Sequence, residues 1–471
     1  MWFRRMAKLL SYGLIKSWGN NNDSADQWLR KNIENMRMMN AFPSYSEYKG
    51  SGIEWIGDIP SHWELQPIRA IYEERKESNK GSKTENILSV MKDIGVIPYD
   101  EKGDVGNKKS EDIERYNIVH PGDLVLNKMN VIIGSLGISD FYGALSPVYI
   151  ILFPRNPRRN DRRYLGYLFK VPTFFKGLRR IASGILEIRE SINRNEFKKL
   201  NLPLPPLKEQ QRIADFLDQK TAGIDEAIVK KQQLIELMEE RKNILINQAV
   251  TKGHNPDVPM KDSGVDWIGE IPEHWDVKKI KYATKIFRGK FTHRPRNDPK
   301  LYGGKYPFIQ TGDVACAQKV INEFSQTLND RGLRVSMLIP MGTVVITIAA
   351  NIGDIAILGF DACFPDSIIG FKPEGEVDRD FLFYVLSAMK EQFKSSTTIN
   401  TQMNLNVERV GSNIITIPPI KEQSKIVKFL DLLSEEFQNA INKLHEQIEL
   451  LKEYKNIIIS DAVTGKIKIQ G

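Results

Sequence analysis

The chain has 471 residues, of which 41% are hydrophobic and 27% are charged. That length suits about three ordinary domains or two large ones, and the composition is typical of a folded globular protein rather than a disordered chain. The longest nearly unbroken apolar stretch, residues 344–352, is about half as long as a membrane span requires. The two cysteines, Cys316 and Cys363, cannot build a disulfide framework or a cysteine-rich zinc site. We therefore expect a cytoplasmic protein that binds no membrane.

The net charge of +8 is distributed unevenly along the chain. Residues 155–199 contain 13 lysines and arginines against 4 acidic residues, and residues 278–305 contain 10 against 1. Two separate basic regions predict two contacts with a polyanion. A pair of solvated basic faces without a ligand is the alternative that this pattern leaves open.

The sequence contains two copies of one plan. Residues 51–65 (SGIEWIGDIPSHWEL) match residues 263–277 (SGVDWIGEIPEHWDV) at 9 of 15 positions. Residues 202–218 (LPLPPLKEQQRIADFLD) match residues 415–431 (ITIPPIKEQSKIVKFLD) at 9 of 17 positions. Each tryptophan segment is separated from the PP-x-KEQ segment that follows it by a long stretch, which we call the first body and the second body. The two bodies share little sequence. A duplicated enzyme would normally keep its catalytic residues in both copies, whereas a duplicated binding protein would keep its framework and change its binding surface.

Each PP-x-KEQ segment is followed by apolar residues at alternating spacings of three and four, which predicts a long helix with a coiled-coil stripe. The proline pair suits a helix start, and Gly253 and Gly465 mark the ends. Each helix would be roughly 65 Å long. Because neither stripe can remain in water, we expect the helices to pair with each other; packing of each helix on its own body is the alternative. The predicted helix-pairing residues are Leu217, Ile224, Ile228, Ile235, Met238, Leu245, Leu430, Phe437, Ile441, Ile448, Leu451 and Ile458.

The bodies have mainly strand character, and we predict an α/β (α+β) fold of two mixed-sheet bodies with short helices, separated by the long helices. The predicted strands are residues 86–96, 124–127, 148–153, 344–349 and 414–417, and the predicted short helices are residues 164–175 and 381–393. The predicted boundaries are 48–205 for the first body, 206–254 for the first long helix, 255–417 for the second body and 418–468 for the second helix, after an extension of unknown role at residues 1–47.

The sequence offers little for catalysis. It lacks a P-loop, a G-x-G-x-x-G, an H-E-x-x-H and a G-x-S-x-G segment, and it has no glycine-rich loop for S-adenosylmethionine. His62 and His274 occupy equivalent positions of the two copies without a nearby pair of ligands. We therefore interpret both histidines as structural, together with the tryptophans beside them, and predict neither a catalytic residue nor a metal site.

One string has the spacing of a metal-dependent nuclease site, in which a proline–acid pair precedes an acid-x-lysine. It consists of Pro256 and Asp257, followed by Asp276 and Lys278. The equivalent segment of the first copy ends in Gln66 and has no lysine, which argues against catalysis. A self-contained metal-dependent nuclease stays one alternative, and a coiled-coil scaffold that binds no DNA stays another.

Side chains suited to nucleic acid are concentrated in the basic regions and in a few loops. Lysine and arginine neutralise phosphates and can pair with guanine, and asparagine and glutamine can pair with adenine. Each cluster taken alone could also be an ordinary polar turn. The predicted DNA-binding candidates are Asn127, Lys128, Arg189, Asn193, Arg194, Arg288, Lys290, Arg294, Arg296, Thr311, Asp313, Asn400, Gln402 and Asn404.

The order of these motifs resembles a known family. The plan WIGxIPxHW, variable body, PPxKEQ-x2-I-x2-FLD and long helix, present twice, is similar to that of the specificity (S) subunits of Type I restriction–modification systems. The resemblance covers about residues 48–468. It implies that each body is a target-recognition domain that reads one half of a bipartite, asymmetric site in double-stranded DNA. It also implies that the two helices pair as an antiparallel coiled coil and set the distance between the half-sites.

The same resemblance implies partners and cofactors. The helices would dock two methylation (M) subunits, and restriction (R) subunits would join the complex. The chain itself would be a non-catalytic subunit that binds no cofactor directly. S-adenosylmethionine for adenine methylation, and ATP and Mg²⁺ for translocation and cleavage, would act through the partner subunits.

Overall fold

The computed structural model describes residues 42–92, 94–103, 110, 112–179, 182–183, 191–253, 255, 257–349, 352–395 and 407–470. These residues form two compact units. As far as it is described, the first unit consists of residues 20–232 and 445–471, and the second of residues 233–444. Each unit therefore contains one body and about half of each long helix. The predicted domain boundaries, which assign each helix to a segment of its own, stay predictions.

The helices of the described residues include two long ones and a set of short ones that pack on the sheets. They are α1 (Ile68–Ile71), α2 (Arg162–Leu168), α3 (Pro172–Arg179), α4 (Arg194–Lys199), α5 (Leu207–Lys252), α6 (Ile280–Ala283), α7 (Thr311–Cys316), α8 (Asp330–Arg334), α9 (Arg379–Ala388), α10 (Lys390–Ser395), α11 (Val407–Ser412) and α12 (Ile420–Val463).

The first unit is built on an antiparallel sheet with the strand order β4-β11-β8-β9. Alternate residues of these strands face opposite sides, so Leu124 and Leu126 pack against the short helices and Val125 packs against the hairpin β5–β6. The strands are β1 (Tyr48–Gly50), β2 (Asp58–Pro60), β3 (Glu64–Pro67), β4 (Tyr72–Glu74), β5 (Leu88–Met91), β6 (Gly95–Pro98), β7 (Asn117–Val119), β8 (Leu124–Asn127), β9 (Leu136–Ile138), β10 (Gly143–Leu145), β11 (Tyr149–Pro154), β12 (Ala182–Ser183), β13 (Ser191–Ile192) and β14 (Asn201–Leu204).

The second unit is built on a mixed sheet with the order β18-β24-β22-β23-β20, in which β20 and β23 are parallel. Val344 and Ile346 face α9, whereas Val345 faces a second cluster around Val314 and Phe364. The strands are β15 (Met260–Asp262), β16 (Glu270–Pro272), β17 (Asp276–Lys279), β18 (Thr284–Arg288), β19 (Tyr302–Phe308), β20 (Val320–Ile321), β21 (Gln326–Leu328), β22 (Val344–Thr347), β23 (Ile355–Leu358), β24 (Ile368–Pro373) and β25 (Ile414–Ile417).

The predicted α/β (α+β) class is confirmed, but three predicted elements are divided. Residues 86–96 form the hairpin β5–β6 instead of one strand. Gly95 has a φ of +105°, and a Cβ on Gly137 would lie 2.8 Å from the Gly95 Cα, so this hairpin needs glycine at a close backbone approach. Residues 164–175 belong to α2 and α3, because Pro172 starts a new helix, and residues 381–393 belong to α9 and α10.

The two long helices run antiparallel, as predicted. In the first unit Leu217 near the start of α5 shares a core with Ile458 near the end of α12, and Lys455 Nζ lies 2.7 Å from Asp225 Oδ1. In the second unit Leu245 near the end of α5 shares a core with Leu430 near the start of α12.

The other predicted pairing residues are buried or half-buried. Ile224 packs with Leu451, with Ile228 half-buried beside them, and Phe437 and Met238 pack in the core of the second unit. Ile235, Ile441 and Ile448 are 8%, 4% and 4% exposed.

Each unit has a carboxylate that ties its tryptophan segment to the start of a long helix. In the first unit Glu209 accepts hydrogen bonds from Tyr45 Oη at 2.6 Å and Trp63 Nε1 at 3.2 Å, and it bonds His62 Nε2 at 2.8 Å. In the second unit Glu422 bonds His274 Nε2 at 2.9 Å and accepts from Trp275 Nε1 at 3.1 Å. We call these contacts the carboxylate clamps. They give the duplicated His-Trp and KEQ motifs a shared structural role.

The glutamine of each KEQ segment fixes a second point of the body. Gln210 Oε1 accepts from the Asp161 backbone N–H at 2.9 Å, and its Nε2 donates to the Pro205 carbonyl oxygen at 2.8 Å. Gln423 makes the same pair of contacts with Asp378 and Pro418 at 2.8 Å each. Asp161 and Asp378 are the N-caps of α2 and α9. The glutamines therefore hold a short helix of each body on the long helix.

The end of each long helix lies against a buried tryptophan. Gly253 follows α5 with a φ of +72°, and a Cβ there would lie 3.0 Å from Trp275 Cζ2. Gly465 follows α12 with a φ of +77°, and a Cβ there would lie 2.3 Å from Pro60 Cδ. Both sites require glycine for its left-handed backbone and for the close approach.

The described end of the predicted N-terminal extension packs on the first unit. Phe42 makes an edge contact with Phe216 at 5.7 Å between ring centroids, and the Lys468 backbone N–H donates to the Pro43 carbonyl oxygen at 2.7 Å. Tyr45 reaches the carboxylate clamp. Residues 1–41 lie outside the described residues.

The clamp predicts a large effect of Glu209 on stability. Glu209→Ala leaves three donors without their acceptor, and we expect the free energy of unfolding to fall by about 3 kcal/mol, because a hydrogen bond to a charged group contributes roughly 1.5–3 kcal/mol. Urea denaturation measures the change. Glu239→Ala, at an exposed position of the same helix, is the control and should cost less than about 0.5 kcal/mol. Equal reductions in both variants would contradict the clamp.

The same carboxylate predicts a pH dependence. Burial alone raises the pKa of Glu209, but hydrogen bonds from Tyr45, His62 and Trp63 outweigh burial and hold that pKa below its usual value. Such a group stabilises the fold above the unfolded-state pKa of about 4.3, and this contribution is lost as the pH falls through the folded-state pKa. The stability difference between wild type and Glu209→Gln should therefore be largest near neutral pH and shrink below about pH 4. Urea unfolding at several pH values measures it; a constant difference would refute the assignment.

Candidate nucleic-acid interface

Three arginines of the second body gather around one aspartate. Arg288 Nε donates to the Asp366 backbone carbonyl oxygen at 2.6 Å, and Arg296 Nη2 donates to Asp366 Oδ1 at 2.5 Å. Arg294 Nη2 lies 3.9 Å from Asp366 Oδ2. The side chains of Arg294 and Arg296 are about half exposed, and that of the neighbouring Lys290 is exposed. We call these four basic residues with Asp366 the arginine cluster.

The backbone brings this cluster together. Strand β18 pairs antiparallel with β24, which sets Arg288 opposite Ile369. A Cβ on Gly289 would lie 2.1 Å from the Pro365 carbonyl oxygen, so the two segments can approach only because residue 289 is glycine. Phe291 is buried after it and anchors the following basic residues. Four cations against one carboxylate leave an exposed positive surface, and forked guanidinium groups suit phosphate oxygens.

The first body brings two predicted segments together. The Ile192 backbone N–H donates to the Lys128 carbonyl oxygen at 3.2 Å, which sets the Asn127–Lys128 turn beside Asn193 and Arg194. Arg194 Nη1 bonds Glu74 Oε1 at 2.5 Å, and the Lys128 side chain is exposed. This second basic site also contains its own carboxylate.

Several predicted DNA-binding residues have local structural contacts. Asn127 Oδ1 accepts from the Met129 backbone N–H at 3.0 Å, and Asn193 Oδ1 caps α4 by accepting from the backbone of Asn195 at 2.9 Å. Asp313 belongs to the capping box of α7, where it accepts from the Gln310 backbone N–H at 2.7 Å. Thr311 lies half-buried in the first turn of that helix.

Four other candidates, Arg189, Asn400, Gln402 and Asn404, lie outside the described residues. For the candidates that are described, a base or phosphate contact stays a prediction beside these local contacts. The acidic partners Glu74 and Asp366 were missed by sequence reasoning. Their arginines are 120 and 78 residues away along the chain, and no local pattern connects positions so far apart.

A polar network in the first body was also missed. Arg75 donates through Nε and Nη2 to both carboxylate oxygens of Asp123, at 2.6 and 2.9 Å, and Asp123 is 1% exposed. Hydrogen bonds from Lys83 and His120 lower the pKa of the neighbouring Glu77. The bidentate Arg75–Asp123 pair holds the end of strand β4 against the turn that precedes β8.

The described residues of the nuclease-like string, Asp257, Asp276 and Lys278, are all exposed. Asp276 and Lys278 lie exposed on β17, which pairs with β25, and Pro256 is outside the described residues. The His/Cys/Asp/Glu side chains of the described residues form no group of three or more that could hold a metal ion. His62 and His274 belong to the carboxylate clamps. Within the described ranges of the chain, no helix is long and apolar enough to cross a membrane.

Comparisons with known proteins agree with the duplicated plan. The family model described as the Type I restriction modification DNA specificity domain matches residues 71–237 and 272–451, which is most of the chain. A candidate specificity subunit of the type I restriction enzyme MjaX, from Methanocaldococcus jannaschii, is 29% identical over 437 residues, covering 88% of this chain and 96% of that protein. The type I restriction enzyme MjaVIII specificity subunit of the same organism is 27% identical over 383 residues, covering 75% and 81%.

A solved chain from a type I R-M system shares the fold. Its TM-score is 0.63 at 15% identity, and the match covers 86% of this chain and 98% of the solved chain. The two segments matched by the family model contain one body each, together with the PP-x-KEQ segment and part of the long helix that follow it. The alternatives of a self-contained nuclease and of a scaffold that binds no DNA find no support in these comparisons.

Asn193 allows a test that separates a structural cap from a base contact. Asn193→Ala removes the cap of α4 and should lower the free energy of unfolding by about 1 kcal/mol, whereas Asn193→Ser keeps a cap oxygen and should cost only a few tenths. Urea denaturation measures both. If both variants match wild type in stability, the cap contributes nothing. A fall in DNA affinity of the serine variant would then mark the amide as a base contact.

Proposed function

The chain belongs to the family of Type I restriction–modification specificity subunits, and from that membership we propose how its two halves act. Each body reads one half of a bipartite, asymmetric site in double-stranded DNA. The antiparallel helices set the spacer between the half-sites and dock two methylation subunits. Restriction subunits complete the complex, which works in the cytoplasm.

This proposal is supported by a set of contacts at the ends of the bodies, the frame, that recurs in both units although the bodies themselves differ. The histidine and tryptophan contacts of the carboxylate clamps, the glutamine contacts and the glycine–tryptophan contacts recur in both units with the same residue types, and Tyr45 is an additional donor in the first clamp. The exposed basic sites do not recur: one is built around Glu74 and the other around Asp366. A protein that must present two different readers in equivalent settings needs this combination.

The chain would contribute recognition rather than chemistry. S-adenosylmethionine for adenine methylation would bind the methylation subunits, and ATP and Mg²⁺ would act through the restriction subunits. Support for this division comes from the type I specificity subunits among the relatives and from the basic, exposed character of the candidate sites. The helices suit a protein-binding role because their acidic and basic residues are nearly balanced.

The arginine cluster should contribute an electrostatic part of DNA affinity. Changing Arg288, Lys290, Arg294 and Arg296 to glutamine should flatten the plot of log K against log salt by up to about 0.9 for each phosphate that is no longer neutralised. Fluorescence anisotropy with duplex DNA at several salt concentrations measures the slope. The control changes four exposed lysines of the long helices, Lys230, Lys421, Lys425 and Lys428, and should leave the slope nearly unchanged. An unchanged slope in the cluster variant would contradict this role.

Exchange of one body should change one half of the target. Replacing residues 66–203 by the corresponding body of another family member, and sequencing methylated sites in cells that also contain the methylation partner, should alter one half-site and leave the other intact. Inserting one heptad into both α5 and α12 adds about 10 Å to each helix and should change only the unspecified spacer. A body exchange that alters both half-sites, or a spacer that ignores helix length, would refute the two-reader mechanism.

A further inference from the structure

The seam between α5 and α12 contains a polar layer within the first unit. Lys231 Nζ donates to Gln447 Oε1 at 2.5 Å. Gln447 is fully buried, and its Nε2 has no hydrogen-bond partner among the described residues. The surrounding seam is apolar: Ile224 packs with Leu451, and Ile448 is 4% exposed. A buried polar layer in an apolar seam lowers stability relative to leucine and is a known device for choosing helix partners.

The internal repeat shows that the two copies differ at this layer. Position 202 corresponds to 415, an offset of 213 that also relates residues 242–251 to residues 455–464. The same offset relates Lys231 to Leu444 and Gln447 to Leu234. Leu444 is 2% exposed and Leu234 is half-buried. Each polar residue of the layer therefore has a leucine as its counterpart in the other copy.

The contacts that are duplicated in the frame do not distinguish one copy from the other. Gly465 lies against Trp63 in the first unit, and Gly253 lies against Trp275 in the second. The glutamate, histidine and tryptophan of the two carboxylate clamps are likewise the same residue types. Two chains could therefore pair α5 with α5 and α12 with α12 and still satisfy the duplicated contacts of the frame. Seam positions at which the copies differ can supply this discrimination.

Pairing of like helices would misplace the polar layer. With the antiparallel alignment kept, an α5 pair would set Lys231 opposite Leu234 of the second chain. An α12 pair would set Gln447 opposite Leu444. The fully buried Gln447 and the half-buried Lys231 would then each lie against leucine, without the hydrogen bond that joins them in the single chain, which is unfavourable. Within one chain the lysine and the glutamine pair with each other, and the repeat assigns Leu234 and Leu444 to the equivalent positions of the other copy.

We infer that the Lys231–Gln447 pair selects pairing of the two unlike helices of one chain over association with a second copy of this chain. It does so because it lowers the stability of the like-with-like dimer more than that of the monomer. The inference rests on the seam and on the repeat, and it does not depend on the DNA-reading function. Its consequence is that the two unlike bodies are held by a helix pair formed within a single chain.

The test replaces the polar pair by leucines, so that the equivalent seam positions of the two copies carry the same residue. The full-length double variant Lys231→Leu/Gln447→Leu is refolded from urea over a range of protein concentrations, and sedimentation velocity measures the dimer fraction. We expect the dimerisation constant to rise at least about tenfold over wild type. The urea midpoint should stay the same or rise, because leucine is at least as favourable in this seam. The reversed pair Lys231→Gln/Gln447→Lys should stay as monomeric as wild type.

A second variant gives both copies the same residues at these seam positions and keeps Lys231 and Gln447. Leu234→Gln/Leu444→Lys gives like helices a lysine–glutamine pair of their own, and it should also increase the dimer fraction. Lys230→Leu, an exposed neighbour with the same substitution, controls for an added leucine and should not. The inference is overturned if both symmetrised variants refold with native circular dichroism and remain as monomeric as wild type. It is also overturned if wild type itself refolds mainly as a dimer.

Discussion

The structure depends on a carboxylate held at the start of each long helix. Glu209 and Glu422 lie where a tryptophan segment meets a KEQ segment, and each takes hydrogen bonds from a histidine and an indole. A mostly buried carboxylate is unfavourable unless donors surround it, so neither segment can form its native structure without the other. The strands next to the clamps, β3 with β14 and β17 with β25, then pair antiparallel. Both ends of each body are thereby fixed at one place, and the residues between them are free to diverge.

The divergence reaches into the sheets themselves. In the first body the buried ion pair Arg75–Asp123 connects β4 to the turn before β8. In the second body β18 carries Phe287 instead, and a Cβ on Gly370 would lie 2.4 Å from its ring. Thr343 borders the same point. An ionic contact and an aromatic contact therefore serve comparable sheets, which shows that sheet pairing tolerates different core chemistry as long as the ends of the body are held.

Periodic and repeated features could be predicted from the sequence, and contacts between distant residues could not. The long helices follow from a local spacing rule, and the strands 124–127 and 414–417 have the predicted bounds. The hairpin β5–β6 was predicted as one strand because apolar composition alone does not place the turn, and the close approach of Gly95 to Gly137 in β9 joins residues far apart along the chain. For two candidate DNA contacts the sequence already indicated a structural role: Asn193 stands three positions before Glu196, and Asp313 stands three positions after Gln310. A polar residue followed three positions later by an acidic one is typical of helix N-termini.

Both basic sites contain their own carboxylate, and this has a consequence for recognition on the proposed function. Arg194 is held by Glu74, and Arg288 and Arg296 are held at Asp366. A phosphate that binds these guanidiniums also meets the carboxylate beside them, so the gain from an arbitrary stretch of DNA is smaller than the charge count implies. The held arginines are also ordered before DNA arrives, which lowers the entropic cost when they bind a well-placed set of phosphates and bases. Internal pairing thus weakens contact with unrelated DNA more than contact with a matching site, which is the balance that a specificity subunit requires.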